Sequence, residues 1–281
     1  MKPLAFVAPF VMSLLCFVIC FPIVMLVACS FMDNAELALK LGGVVSSGTG
    51  LAQVPLFPMY PTLESYLATL LDTPAYHALI QNSAIIVVGV LAGQFLIATP
   101  AAWVLARYDF RGRNAIFFIY VLLMMMPFQV VMLPNYLVLN SLGINNTLLA
   151  VILPGAVSAF PVFIMTHFFK TIPSEIIESA RLDGTSEIQI FLKIGIPLGS
   201  SGIFAALVLG FFEYWNLVEQ PLAYLRDQSL WPISLFQPTL TYDDIGLVFA
   251  AAIIAAIPAI LVFLLGKDYL EQGIATTTKR A

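Results

Sequence analysis

The chain has 281 residues, of which 60% are hydrophobic and only 10% charged, with a mean hydropathy of +0.97. A water-soluble domain of this length lacks the polar surface to cover so much apolar area, so lipid is the expected solvent. The net charge of −4 and the lack of a basic stripe exclude nucleic acid as a partner.

A spanning helix needs about 20 apolar residues. Six runs meet that length, at about 4–31, 78–106, 115–137, 148–169, 198–218 and 245–266. The expected fold is an all-α membrane protein with six transmembrane helices in a single domain over 1–281. An even number of spans puts both termini on one side, and the cations choose that side. One face owns Lys2, Arg107, Arg111, Arg113, Lys170, Arg181, Lys193, Lys267, Lys279 and Arg280. The other owns only Lys40 and Arg226, beside the acids Asp33, Glu36, Glu64, Asp72, Glu219, Asp227, Asp243 and Asp244. The positive-inside bias therefore places both termini in the cytoplasm.

The first run carries Cys16, Cys20 and Cys29. They lack zinc or redox spacing and read as buried apolar residues. Leu26-Val27-Ala28-Cys29 has the look of a lipoprotein cleavage box. The apolar stretch before it is too long for a signal peptide and more spans follow, so a retained helix is expected. Residues 32–77 read as an outer segment in which Pro55, Pro58, Pro61 and Pro74 forbid a long helix. A short helix is expected at 60–66. The turn at 107–114 is basic and inner, and the turn at 140–147 is short and outer, with Gly143. Residues 219–244 mix Trp231, Phe236 and Tyr242 with acids. That pattern suits a surface meeting a protein or solute, and equally an interfacial aromatic anchor. Prolines at 22, 100, 127, 134, 154, 161 and 258 each remove one intrahelical hydrogen bond, which a bundle tolerates.

The polar gap at 170–197 is the most informative stretch. Ser174 is a candidate N-cap and Glu175 suits the positive end of a helix. Ile176, Ile177, Ala180 and Leu182 give that helix an apolar side, and Glu175, Glu178 and Arg181 a polar one. Gly184 fits a helix C-terminus needing positive φ. Thr185-Ser186-Glu187 restarts a second helix through Lys193, and Pro197 opens the next span. Small Ser179 and Ala180 would admit a close backbone. Glu178 and Arg181 can pair with each other or reach a partner. The chain has no G-x-x-x-x-G-K-[ST] phosphate loop, so a separate engine is expected to dock here.

Glu213 is the only acid within a span, where a charge costs roughly 2.5–3.5 kcal/mol. Beside it, Tyr214, Trp215 and Asn216 supply an aromatic and hydrogen-bonding set that suits a sugar, and Gln129 is a further candidate for a solute path. Gln94 and Asn135 are weaker ones, because amides also join helices. His77 and His167 are isolated and read as structural; no metal or proton-relay set is present in the sequence.

Glu178, Ser179, Ala180, three residues, Gly184, nine residues, then Ile194 and Pro197 resemble the cytoplasmic signature of ATP-binding-cassette importer permeases, E-A-A, three residues, G, nine residues, I-x-L-P. The chain departs at Ser179 and Ile196, both conservatively. The likeness is closest to carbohydrate-uptake permeases of the shorter, maltose-type subclass. It is carried also by Asn82-Ser83, Leu105-Ala106-Arg107-Tyr108, Phe110-Arg111-Gly112, Pro127 and Pro134, 142–147, Ile172-Pro173, Arg181-Leu182-Asp183-Gly184, Trp215-Asn216 and the tail 269–280.

The resemblance implies a type I ABC importer permease fold in a bacterial inner membrane. It implies a second related permease as partner, usually in a heterodimer, two cytoplasmic ATPases below, and an extracytoplasmic solute-binding protein. Glu178, Ser179, Ala180, Arg181, Asp183, Gly184, Ile194 and Pro197 would form the ATPase-coupling loop. The chain itself would bind no cofactor and catalyse nothing, with ATP and magnesium held by the ATPase. The expected cargo is a sugar or oligosaccharide. A stand-alone secondary transporter or channel is the alternative; it would want intramembrane carboxylates and repeated broken helices. A membrane enzyme would want a catalytic cluster, and none is visible.

Overall fold

The computed structural model describes residues 4–47, 56–236 and 245–278, with no strand among them. Pro55, Tyr242, Asp243 and Asp244 and the terminal cations Lys2, Lys279 and Arg280 lie outside the described residues. In chain order the helices are α1 Leu4–Ser30, α2 Asn34–Ser47, α3 Glu64–Leu67, α4 Pro74–Arg107, α5 Arg113–Met125, α6 Phe128–Ser141 and α7 Leu149–Ala156. Then follow α8 Ala159–Phe169, α9 Ser174–Leu182, α10 Glu187–Ile190, α11 Ile196–Leu198, α12 Ser200–Trp215, α13 Glu219–Tyr224 and α14 Ile245–Thr278.

Four stretches are long and apolar enough to cross a membrane: Pro9–Ser30, Pro74–Arg107, Leu149–Phe169 and Ile245–Tyr269. Two more pass as bent pairs, α5 with α6 at 106° and α10–α11 with α12 at 69°, making six crossings when each pair is one span. The run read as a single span at 115–137 is thus two helices. The residue before a proline is pushed out of the helical region, and Met126 is extended at φ −74°, ψ 126°, ahead of Pro127. Pro100 and Pro258 lie inside α4 and α14 without ending them.

The described residues fall into two compact units, Met1–His77 with Gln237–Pro258 and Ala78–Phe236 with Ala259–Ala281. In the first, Cys29, Met32 and Leu37 are fully covered and pack with Ile245. Three expectations change here. A helix of 14 residues, α2, occupies the outer segment, because all four prolines lie downstream of it. Its Glu36 carboxylate accepts from Lys40 at 2.5 Å, one turn on, and from the Met59 amide at 3.0 Å, tying the helix to the chain that returns beside it. The short helix expected at 60–66 starts instead at Glu64 and continues as a π-helical turn through Asp72. Only Cys29 is buried, whereas Cys16 and Cys20 are exposed on α1. Most side chains of that helix from Phe10 to Val27 face outside their own chain, where a thiol is as acceptable as its apolar neighbours.

In the second unit the core joins Ala98, Ala102, Trp103 and Leu105 of α4 to Val162, Met165 and Phe169 of α8 and Ile203 and Ala206 of α12. The break between α7 and α8 falls at Val157 and Ser158. Gln94, fully buried on α4, donates Nε2 to the Gly155 carbonyl at 3.1 Å and lies 3.4 Å from Ser158 Oγ. An amide that the sequence offers as a weaker solute candidate thus also joins α4 to a broken helix. Phe117 stacks on Phe163, centroids 5.9 Å apart, and His167 lies 4.9 Å from Phe163, a structural place for that histidine. At the other end, Asn82 Nδ2 donates to the carbonyls of Ser229 (2.7 Å) and Trp231 (3.0 Å), and Asn146 Oδ1 accepts from the amides of Arg226 and Asp227. These bonds pin 226–233, and Trp231 is part-buried with its indole N–H on the Leu225 carbonyl.

Candidate functional site

The polar gap folds as a helix, a glycine turn and a second helix. Pro173 occupies the N-cap position of α9 with φ −59° and ψ 137°, and no side chain caps that end. Ser174, expected as the cap, is the first helical residue, because proline already fixes the entry geometry one position earlier. The N-terminus of α10 is capped by a side chain instead: Ser186 accepts from the Gln189 amide and Gln189 returns the bond, a capping box.

Gly184 has φ +76°, as the sequence required. Its amide donates to the Arg181 carbonyl at 3.0 Å, and the Thr185 amide reaches the Ala180 carbonyl at 3.1 Å, the paired bonds of a Schellman motif. The chain reverses there. The second helix continues through a π-helical turn, Phe191–Gly195, into α11, which holds Pro197.

The underside of this segment is anchored. Ile172, Ile177 and Ile190 are buried in the same core as Trp103 and Phe169. The Trp103 ring meets Phe191 at 5.8 Å, and Gly195 lets it in: a Cβ there would lie 2.8 Å from the ring. Arg107 Nη2 donates to the carbonyls of Phe169 and Ile172 at the end of α8, with its guanidinium 5.8 Å from the Trp103 centroid. A cation at a helix C-terminus satisfies carbonyls that have no intrahelical donor.

The outer side of the segment is open. Glu178 is exposed and makes no ion pair or hydrogen bond among the described residues. Its expected partner Arg181 turns forward to Glu187, with Nε to Oε1 at 2.7 Å and Nη2 to Oε2 at 3.2 Å. Hydrogen bonding to that carboxylate raises the Arg181 pKa above its ordinary value. Ser179 and Asp183 are exposed and Ala180 half-buried beside Glu178. Leu182 is 89% exposed and Ile188 72% exposed, so two large apolar side chains stand in the open at the tip. Ile194 is half-buried and Pro197 exposed on the following turn.

Of the residues expected along a solute path, Glu213, Tyr214, Trp215 and Asn216 lie at the end of α12 and Gln129 at the start of α6. Successive helical residues turn by about 100°, so Tyr214 and Trp215 are buried while Glu213 and Asn216 are exposed. Trp215 stacks on Phe211 with centroids 5.5 Å apart and planes at 11°. Asn216 Nδ2 is taken by the Phe212 carbonyl at 2.9 Å. Gln129 Nε2 pairs with Glu219 Oε1 at 3.0 Å, away from Glu213 in sequence and without a bond to it. Sequence reasoning missed Glu187 and Tyr108, whose hydroxyl donates to Glu187 Oε2 at 2.6 Å. The capping signature Ser186-x-x-Gln189 marked the helix start, but nothing in the spacing marked the distant tyrosine.

With this geometry in place, residues 86–276 match the family described as binding-protein-dependent transport system inner membrane component. The chain belongs to that family of transport permeases, and is a multi-pass protein of the inner membrane in a transport system that depends on a binding protein. Among its relatives, the arabinooligosaccharides transport system permease protein AraQ of Halalkalibacterium halodurans is 28% identical over 265 residues, covering 93% of this chain and 91% of that one. The lactose transport system permease protein LacG of Rhizobium radiobacter is 28% identical over 272 residues, covering 96% and 94%. The crystal structure of a bacterial ABC transporter involved in the import of the acidic polysaccharide alginate shares the fold, with a TM-score of 0.80 at 21% identity over 95% of this chain and 96% of that one.

Proposed function

We propose that this chain is the membrane-crossing subunit of an ATP-driven importer for a sugar or oligosaccharide, in which a second related permease completes the solute path. Two cytoplasmic ATPases drive it through the segment 170–197, and an extracytoplasmic solute-binding protein delivers the cargo. Both termini face the cytoplasm. ATP and magnesium belong to the ATPase, and this chain holds no cofactor. The cargo class rests on relatives named for arabinooligosaccharides and lactose.

The observation that carries the coupling role is the division of labour in that segment. Isoleucines hold its underside to the core, while Glu178, Leu182 and Ile188 are left exposed around the glycine turn. An exposed patch of one carboxylate and two apolar side chains suits a cleft on another protein. A nucleotide-driven change in that protein then biases the two access states of the bundle.

Affinity purification from the native membrane in mild detergent tests this reading. The native chain is expected to bring a second permease and an ATPase in matched amounts. Glu178→Lys is expected to insert normally and lose the ATPase. An ATPase retained at full yield by that variant, with normal ATP-dependent uptake, would remove Glu178 from the docking surface.

A further inference from the structure

Consecutive residues at the end of α4 grip the polar segment at two separate points. Arg107 holds its entry, through the carbonyls of Phe169 and Ile172. Tyr108 holds its return, through the carboxylate of Glu187, 79 residues away in sequence. The same carboxylate takes both donors of Arg181 from the last turn of α9. Three donors, two from Arg181 and one from Tyr108, therefore converge on a single side chain at the first position of α10.

We propose that Tyr108, Glu187 and Arg181 are positioning residues, forming a strut that fixes the angle between α9 and α10 and locks both to the end of α4. This rests on reading 170–197 as the coupling segment. Force applied around Glu178 then moves the end of α4 instead of being absorbed by flexing at Gly184.

Geometry supports a directional role over a stabilising one. Arg181 and Glu187 are 42% and 47% exposed, and exposed ion pairs contribute little to folding. A guanidinium engaging both oxygens of a carboxylate fixes orientation as a single contact cannot. The point it braces is the one that needs bracing, because Gly184 is the most permissive backbone position in the segment. Without the strut, the turn from α9 to α10 rests on buried Ile177 and Ile190 and on backbone bonds.

The test compares the native complex with Arg181→Glu, Glu187→Arg, Tyr108→Phe and the double variant that exchanges the charges. Amide hydrogen exchange over residues 174–190 and ATP hydrolysis by the purified complex are both read. Each single charge change is expected to speed amide exchange there by about threefold to tenfold and to lower hydrolysis per bound ATPase. Tyr108→Phe is expected to give a smaller change in the same direction. The charge-exchanged double variant is expected to restore both readouts to within about twofold of native. Single variants that leave amide exchange unchanged, or a double variant that restores neither readout, would overturn the strut. An ATPase absent from the native purification would defeat the coupling reading instead, while the amide-exchange arm would still decide whether the three residues brace the turn.

Discussion

Trp103 and Phe169 meet edge to face, ring centroids 5.3 Å apart and planes at 85°. This contact joins the end of α4 to the end of α8, directly beneath the polar segment, and both rings are almost fully buried. Gly195 also lies against this indole, where any Cβ would crowd the ring.

Gly195→Val is therefore expected to destabilise the chain. Its Cβ would lie 2.8 Å from the Trp103 ring, and two methyl groups would extend beyond it. Overpacking of this kind costs typically about 1–3 kcal/mol. A lower thermal unfolding midpoint in detergent checks it; a midpoint equal to that of the native chain would show that the ring has room to shift.

Gln94→Leu removes the side-chain donor to the Gly155 carbonyl at the α7–α8 break, leaving that carbonyl only the Ser158 amide at 3.3 Å. Interhelical hydrogen bonds within membranes contribute about 0.6 kcal/mol on average and up to about 1.7. The expected loss lies in that range, read as reduced resistance to denaturation in mixed micelles. A gain in stability would mean that Gln94 Oε1, buried without a hydrogen-bond partner, costs more than Nε2 contributes.

Much of the fold was legible because lipid imposes length and composition on each crossing, and the six apolar runs mark where those crossings lie. Gly184 was legible too, since a helix ending on a turn demands positive φ. The partner of Arg181 was not. Sequence offers Glu178, one turn back, but the reversal at Gly184 carries Glu187 to the guanidinium, and that proximity is tertiary. The 106° bend was hidden for a related reason. Pro127 ends a helix whereas Pro100 and Pro258 lie inside theirs, and a proline by itself does not tell the two cases apart. Glu213, Tyr214, Trp215 and Asn216 were read together as candidates for a solute path. Helical rotation separates them into buried and exposed members.

Acid is expected to loosen the tie between α2 and the residues after it. Burial alone would raise the Glu36 pKa, but the Lys40 ammonium and the amides of Met59 and Tyr60 outweigh it and hold the carboxyl below its ordinary value of 4.5. A depressed folded-state pKa contributes stability that is complete above the unfolded value and lost as pH falls through the folded one. The native chain should therefore exceed Glu36→Gln in thermal midpoint at pH 6, and the gap should close progressively below about pH 4.5. A gap independent of pH would assign the effect to packing.

Leu182→Asp tests the apolar half of the proposed docking patch. The side chain is 89% exposed, so its replacement is expected to change the unfolding midpoint of the chain very little. Burying a leucine on a partner is worth about 1.5–3 kcal/mol, so ATPase affinity should fall roughly tenfold to a hundredfold. Titration of the purified ATPase against the permease in nanodiscs gives the number, and an unchanged affinity would confine docking to the acidic side.

The bend between α5 and α6 governs how this stretch comes to be in the bilayer at all. The two helices have 13 and 14 residues, about 20 Å each at about 1.5 Å per residue. The hydrocarbon core is about 30 Å thick. Neither half is therefore a complete message to the insertion machinery. A crossing built from this pair needs both halves, so the loss of either one removes it.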